Sequence, residues 1–353
     1  MSTRIALALV WAAFLVRGSY YCVQQPLWEG LDEWAHFACL QYLAEHGQMP
    51  RRSDPVSDEV VRSLELVPLA YGTESWVAGG VNHDAYWQLP EAERQRRRER
   101  LKRLTSAYRR SPSLAPAAQT QYEAQQPPLY YTLLLAPYFA TRYQPLPDQV
   151  LCLRLLSLAI ASLTIPLAYA MARQIPSARR SAVLVAALLA CMPSLAIDLT
   201  RIGNHTLAIP LIAAVLLCAL RALRRGRMRD WALLGIVLAA ALLAKGYALV
   251  MLPVVLLAAL LAARRQRLAI AGGGLAIVLA AAGAGWWYAN NLRTTGTIAG
   301  DQNGRRRARR SRGKTGGPRT GPMGARAGLG GNDAYLDRRL EFPAGAQLDV
   351  PRL

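Results

Sequence analysis

Residues 204–229 read NHTLAIPLIAAVLLCALRALRRGRMR, an apolar run closed by Arg221, Arg224, Arg225, Arg227 and Arg229. A helix that is apolar all round needs a nonpolar surrounding, whereas clustered guanidinium groups need water and anionic headgroups. The stretch therefore reads as a membrane span, Asn204 to Leu220, that ends at a cytoplasmic face. The same pairing recurs outward from it. Further spans are Leu151 to Arg173, Ser181 to Ile197, Trp231 to Ala244, Tyr247 to Ala263 and Leu268 to Tyr288. The connectors carry Arg179 and Arg180 before this stretch and Arg264, Arg265 and Arg267 after it, so all three are cytoplasmic by the positive-inside rule. Alternation then puts Asp198 to Gly203, the Lys245-Gly246 turn and everything from Trp286 onward outside.

Composition agrees with this reading. In 353 residues, 53% are hydrophobic and fall in long Leu, Ala and Val blocks, which excludes an ordinary pair of soluble domains. The net charge of +20 lies largely in the connectors and in the last fifty-odd residues. No RNP-type motif accompanies it, so topology explains the charge between the spans and nucleic acid is not expected as a partner. Cys22, Cys39, Cys152, Cys191 and Cys218 lack metal-ligand spacing and read as packing residues, with a Cys22–Cys39 bridge as the alternative.

Ile5 to Cys22 forms one more span, an uncleaved signal anchor in which Arg17 snorkels to the surface. Residues 23–150 are then external. Within them Asp32 to His46 reads as a helix stopped by Gly47 and Pro50, with Asp32 and His36 on one face. Glu91 to Leu104 is a second, charge-dense helix, either solvated or in contact with anionic headgroups. Leu129 to Ala140 is apolar but too short to cross, and reads as a surface helix with its tyrosines at the interface; a short eighth span is the alternative. The expected domains are 1–22, 23–150, 151–288 and a basic tail, 289–353. From Arg305 that tail has the composition of a disordered segment. It reads as an out-of-frame or truncated end foreign to the fold, with a lipid- or nucleic-acid-binding tail as the alternative.

The stretch Pro26-Leu27-Trp28-Glu29-Gly30-Leu31-Asp32-Glu33-Trp34-Ala35-His36 places two acids and a histidine where the first span emerges. Charge at a hydrocarbon boundary loses hydration, so these residues are candidates for chemistry; a helix N-terminus that favours acids is the plainer alternative. With Glu45-His46-Gly47-Gln48-Met49-Pro50, Gln126-Pro127-Pro128-Leu129-Tyr130-Tyr131, Arg154-Leu155-Leu156-Ser157, Leu243-Ala244-Lys245-Gly246 and Gly285-Trp286-Trp287-Tyr288-Ala289-Asn290-Asn291, in that order, the chain resembles the polyprenyl-phosphate-sugar-dependent glycosyltransferases of the GT-C fold. That superfamily holds the protein O-mannosyltransferases and the lipid A aminoarabinose transferase. The resemblance spans residues 5–300. It implies an all-α polytopic bundle of about seven transmembrane helices, in the plasma (inner) membrane, with its active site outside.

The resemblance also implies roles. Asp32 is the general base, Glu33 binds the acceptor or, with Asp32, a divalent cation, and His36 either orients Asp32 or faces the lipid interface. The partners are a polyprenyl-phosphate sugar and a hydroxyl acceptor in a glycan, lipid or protein. The leaving phosphate needs cations or N–H donors. Gln126 stands where related transferases carry a basic residue, leaving Arg154, Arg201, Lys245 and Arg293 as candidate cations. Lys245 alternatively snorkels to the surface. Asn204 and His205 stand where an acid is usual. Trp286 is either an interfacial anchor or a platform for sugar or prenyl chain. Charges within spans also suit a transporter or a flippase-like protein without transferase activity, although no inverted repeat or broken Gly-Pro helix pair supports a transporter.

Overall fold

A computed structural model describes residues 2–300 except 31, 72–73, 75–76, 105–120 and 122. The basic tail from residue 301 lies outside the described residues. Helix α1 (Thr3–Gln24) starts on Ser2, whose side chain accepts from the Ile5 amide. It shows Ile5, Leu9 and Val16 outward and buries Phe14, Gly18 and Cys22. The half-exposed Arg17 donates to the carbonyls of Ala190 (2.5 Å), Cys191 and Met192 (both 3.3 Å) at the end of a neighbouring helix.

The long first loop folds as α2 (Glu33–His46), α3 (Asp58–Leu64), a two-residue parallel pair β1 (Pro68–Leu69) and β2 (Val81–Asn82), α4 (His83–Gln88) and α5 (Glu91–Lys102). Gly47 closes α2 with a left-handed φ of 67° that needs no Cβ. Helix α5 buries no residue and is laced by Glu91–Arg94 (2.5 Å) and Glu93–Arg97 (3.1 Å) pairs, which favours the solvated reading. Helix α6 (Leu129–Thr141) departs from expectation. Its Tyr130, Tyr131 and Tyr138 are fully buried against α2 and the next helix instead of marking an interface.

The apolar half comprises α7 (Leu146–Ser162), α8 (Thr164–Ala172), α9 (Ala182–Cys191), α10 (Pro193–Asp198), α11 (His205–Arg225), α12 (Met228–Ala244), a 3₁₀ turn (Gly246–Val250), α13 (Met251–Ala263) and α14 (Ala269–Thr295). Among the described residues, five segments are long and apolar enough to cross a membrane: Thr3–Gln24, Leu146–Ala172, His205–Arg225, Gly246–Ala263 and Ala269–Thr295. Helix α12, with 17 residues, is at the lower limit for spanning. The expected span Ser181 to Ile197 is broken at Met192, because Pro193 has no amide hydrogen for the Leu189 carbonyl and holds Met192 in extended backbone (ψ 119°). The last helix runs past Tyr288 to Thr295, where Gly296 caps it at φ 76°.

Three apolar clusters of described residues hold these parts. One joins α2 and the loop to α6, α7 and the start of α11; one fills the space among α11–α14; one packs α1 on α7–α10. Small residues let α12 and α14 approach: a Cβ on Gly235 would stand 2.6 Å from the Ala276 carbonyl, and one on Gly272 would stand 2.4 Å from the Trp231 ring. The cysteines are free, Cys22 against the Thr200 carbonyl and Cys39 against Gln121.

Candidate active site

Glu33 and Arg154 meet in the interior, with residue exposures of 1% and 3%. Arg154 Nε and Nη2 donate to the two Glu33 oxygens at 2.7 and 2.5 Å. The remaining guanidinium hydrogens go to the carbonyls of Cys22, Gln25 and Pro26 at 3.2, 2.8 and 2.8 Å. Glu33 Oε1 also accepts from the Ile202 amide at 3.0 Å. One bidentate pair thus ties the end of α1, the start of α2, the middle of α7 and the loop before α11. A buried charge that lost this partner would be strongly destabilising.

This pairing corrects two expectations. Arg154 does not face a phosphate, and Glu33 does not offer itself to a metal, because a guanidinium seated on both its oxygens repels a cation. No group of three or more His, Cys, Asp or Glu among the described residues is placed to hold a metal ion. The donor set at Asp32-Glu33 does not fit a divalent cation.

Asp32 stands at the start of α2 but makes no capping bond, and its carboxylate carries no hydrogen bond or ion pair among the described residues. Loss of hydration raises its pKa, and the charges of Lys245 and Arg201 oppose the rise. Arg201 is positioned by its ion pair with Asp198 and by Gly30, where a Cβ would come within 2.5 Å of Arg201 Cδ. Lys245 interrupts the chain between α12 and the 3₁₀ turn. Its ammonium lies 5.4 Å from the Tyr247 ring, and no carboxylate among the described residues pairs with it. Burial lowers its pKa, and Glu123 and Asp32 hold it up.

Glu123 was not legible as a site residue. It is 5% exposed, and burial raises its carboxyl pKa against a 2.5 Å hydrogen bond from Gln126 Nε2. Gln126 Oε1 accepts in turn from Asn204 Nδ2 at 2.8 Å, so Asn204, Gln126 and Glu123 form a directed chain. The Asn204 Oδ1 is buried without a partner among the described residues. The one sequence clue was an acid three residues before Gln126-Pro127-Pro128 in a loop with no apolar pattern.

A second buried relay orders the loop beside these groups. Ser157 donates to the Leu153 carbonyl (2.8 Å), so it accepts from the Tyr130 hydroxyl (2.8 Å), which accepts from the Gly203 amide (2.9 Å). His36 is buried and bonded through Nδ1 to the Tyr131 hydroxyl at 2.8 Å. Burial depresses its pKa well below the usual histidine value; its backbone amide donates to the Asp32 carbonyl (3.0 Å), but its ring makes no hydrogen bond with the Asp32 carboxylate. At 3% exposure the ring is shielded from the surroundings of the protein. His205 Nε2 donates to the Asp198 carbonyl at 2.7 Å, with its ring lying over Gly203.

Two cavities open beside this cluster. One, of about 260 Å³, is lined by Gln126, Lys245, Tyr247, Tyr288 and Asn291. The other, of about 730 Å³, is lined by Arg51, Arg52, Gln125, Trp287, Asn290 and Thr294 among others, and shares Gln125 and Asn291 with the first. Trp287, not Trp286, turns inward; Trp286 is 56% exposed. Arg293 is exposed and lines neither cavity.

Apolar spanning helices that hold a cluster of acids, cations and amides beside two adjoining cavities define a polytopic membrane protein with a polar site next to the bundle. Residues 134–287 match the family model of the dolichyl-phosphate-mannose-protein mannosyltransferases. The match runs from α6 into α14 and supports a membrane glycosyltransferase of the GT-C fold, as the sequence resemblance implied. Asp32 and Glu123 precede the matched segment. Neither the curated proteins nor the solved structures yield a match.

Proposed function

We propose that the protein transfers a sugar from a polyprenyl-phosphate donor to an acceptor hydroxyl, with inversion, on the side opposite the arginine connectors and in the plasma membrane. Asp32 takes the proton of the hydroxyl as it attacks the anomeric carbon. The bond from that carbon to the phosphate oxygen breaks, and its electron pair leaves with the lipid phosphate. Lys245 and Arg201 are the cations offered to the growing phosphate charge. Gln126 and Asn204 supply amide hydrogen bonds beside them.

The observation that carries this reading is the contrast between two adjacent acids. Glu33 is consumed by Arg154, while Asp32 is uncommitted and lies in the field of Lys245 and Arg201. Tyr247 and Tyr288 line the smaller cavity beside Lys245 and suit a sugar or the first isoprene units. The test is release of lipid phosphate from a panel of polyprenyl-phosphate sugars by the protein in membranes. Asp32→Asn is expected to abolish release while the protein stays folded. Full turnover by that variant would overturn the assignment, and substrate movement without sugar transfer would point to a transporter.

A further inference from the structure

At the arginine-rich end of the bundle, α8, α9, α11 and α13 enclose an apolar groove of about 490 Å³ lined by Ala172, Val185, Ala219, Leu223, Val254 and Leu261 among others. Three helices end around it, α8 at Ala172, α11 at Arg225 and α13 at Ala263. The chain leaving each carries cations: Arg173, Arg179 and Arg180 after α8, five arginines from Arg221 to Arg229, and Arg264, Arg265 and Arg267. Between residues 164 and 197 and between 199 and 300 the only acid is Asp230. No ion pair among the described residues neutralises any of these arginines, and the buried Arg221 Nε has no hydrogen-bond partner there.

The charge rule for topology accounts for the presence of these arginines but not for their being held together. Gln266, in the connector after α13, donates to the Leu223 carbonyl at 2.6 Å. Gly226, at φ 64°, has no room for a Cβ beside the Gln266 side chain. Two cationic connectors are therefore clasped at the lip of the groove through Leu223, which itself lines it. Asp230, at the start of α12, is the one acid beside these eleven arginines and forms no ion pair with them among the described residues, and like charges brought together in such excess repel unless an anion sits among them. An apolar slot in the bundle with a cationic lip is complementary to one molecule in particular, a lipid with an acyl chain and an anionic headgroup.

We infer that this groove binds an anionic diacyl phospholipid, with an acyl chain along α11 and α13 and the phosphate among Arg221, Arg224 and Arg264. The site is at the far end of the spanning helices from Asp32 and does not depend on the transfer reaction.

The test is to purify the full chain in mild detergent, extract and weigh the retained lipid by mass spectrometry, and compare thermal unfolding in bilayer discs of phosphatidylglycerol and of phosphatidylcholine. Retention of anionic diacyl lipid above its bulk share is expected, with greater thermal stability in phosphatidylglycerol that fades with salt. Each of Arg224→Gln and Arg264→Gln is expected to lower retention about fivefold, from ~1 kcal/mol per cation near an anionic surface. Ala219→Trp, which fills the groove, is expected to expel the lipid. The two arginines are exposed, so their variants test the idea even if Ala219→Trp does not fold. Lipid in bulk proportion, an isoprenoid in the groove, or retention unchanged when Arg224→Gln and Arg264→Gln are combined would each overturn the inference.

Discussion

Asp32 and Glu33 are neighbours of the same charge, and the proposed mechanism gives them opposite duties that a pair of single variants separates. Glu33→Gln keeps the shape and an acceptor for Arg154 but removes the charge. Arg154 would remain buried with a full positive charge and a weakened partner, and removing one member of a buried pair costs about 3–5 kcal/mol. The amide oxygen introduced by the substitution can still accept one of the two donor bonds, so the loss should fall toward ~3 kcal/mol. At about 2–4 °C per kcal/mol this lowers the unfolding midpoint by roughly 6–12 °C. Asp32→Asn removes a carboxylate that makes no hydrogen bond or ion pair among the described residues, so the midpoint should move by less than about 2 °C. Loss of a general base should reduce turnover by about 10²–10⁴-fold. The assays are thermal unfolding in detergent and release of lipid phosphate at saturating donor. If Glu33→Gln were as stable as the parent yet inactive, or if Asp32→Asn were the destabilised variant, the division of roles would be refuted.

Other outcomes follow from the same geometry. Because the base must be ionised, activity should fall as pH drops through the raised pKa of Asp32; Lys245→Met removes a charge that lowers that pKa, so the acid limb of the kcat/KM profile should move to higher pH. Glu123 has a raised carboxyl pKa, so its ionisation opposes folding, and any stability linked to its protonated form is lost as pH rises through that value. Glu123→Gln should therefore raise the unfolding midpoint at neutral pH, with the gap closing below the ordinary carboxylate range. Tyr130→Phe strips the acceptor from the Gly203 amide and the donor from Ser157, and should cost about 1–3 kcal/mol in chemical unfolding. Trp287→Ala should impair turnover more than Trp286→Ala, since Trp287 lines the larger cavity and Trp286 is exposed.

The sequence by itself determined the helical membrane architecture, because composition and arginine placement act over whole segments and need no knowledge of which segments touch. Apolar runs cannot stay in water, and guanidinium clusters resist crossing. It also marked the end of α2 at Gly47 and the Asp32-Glu33 stretch, where charge meets the edge of a span. It could not decide which acid was consumed internally. Glu33 and Arg154 are 121 positions apart, and their meeting depends on how α1, α2 and α7 pack. The same limit hid Glu123, which only the fold brings near Lys245. It also misplaced the α6 tyrosines, since an apolar face with hydroxyls suits an interface and a hydrogen-bonded core equally well. Tertiary structure made the choice because a buried charge or hydroxyl is tolerated only where a partner from another element is waiting.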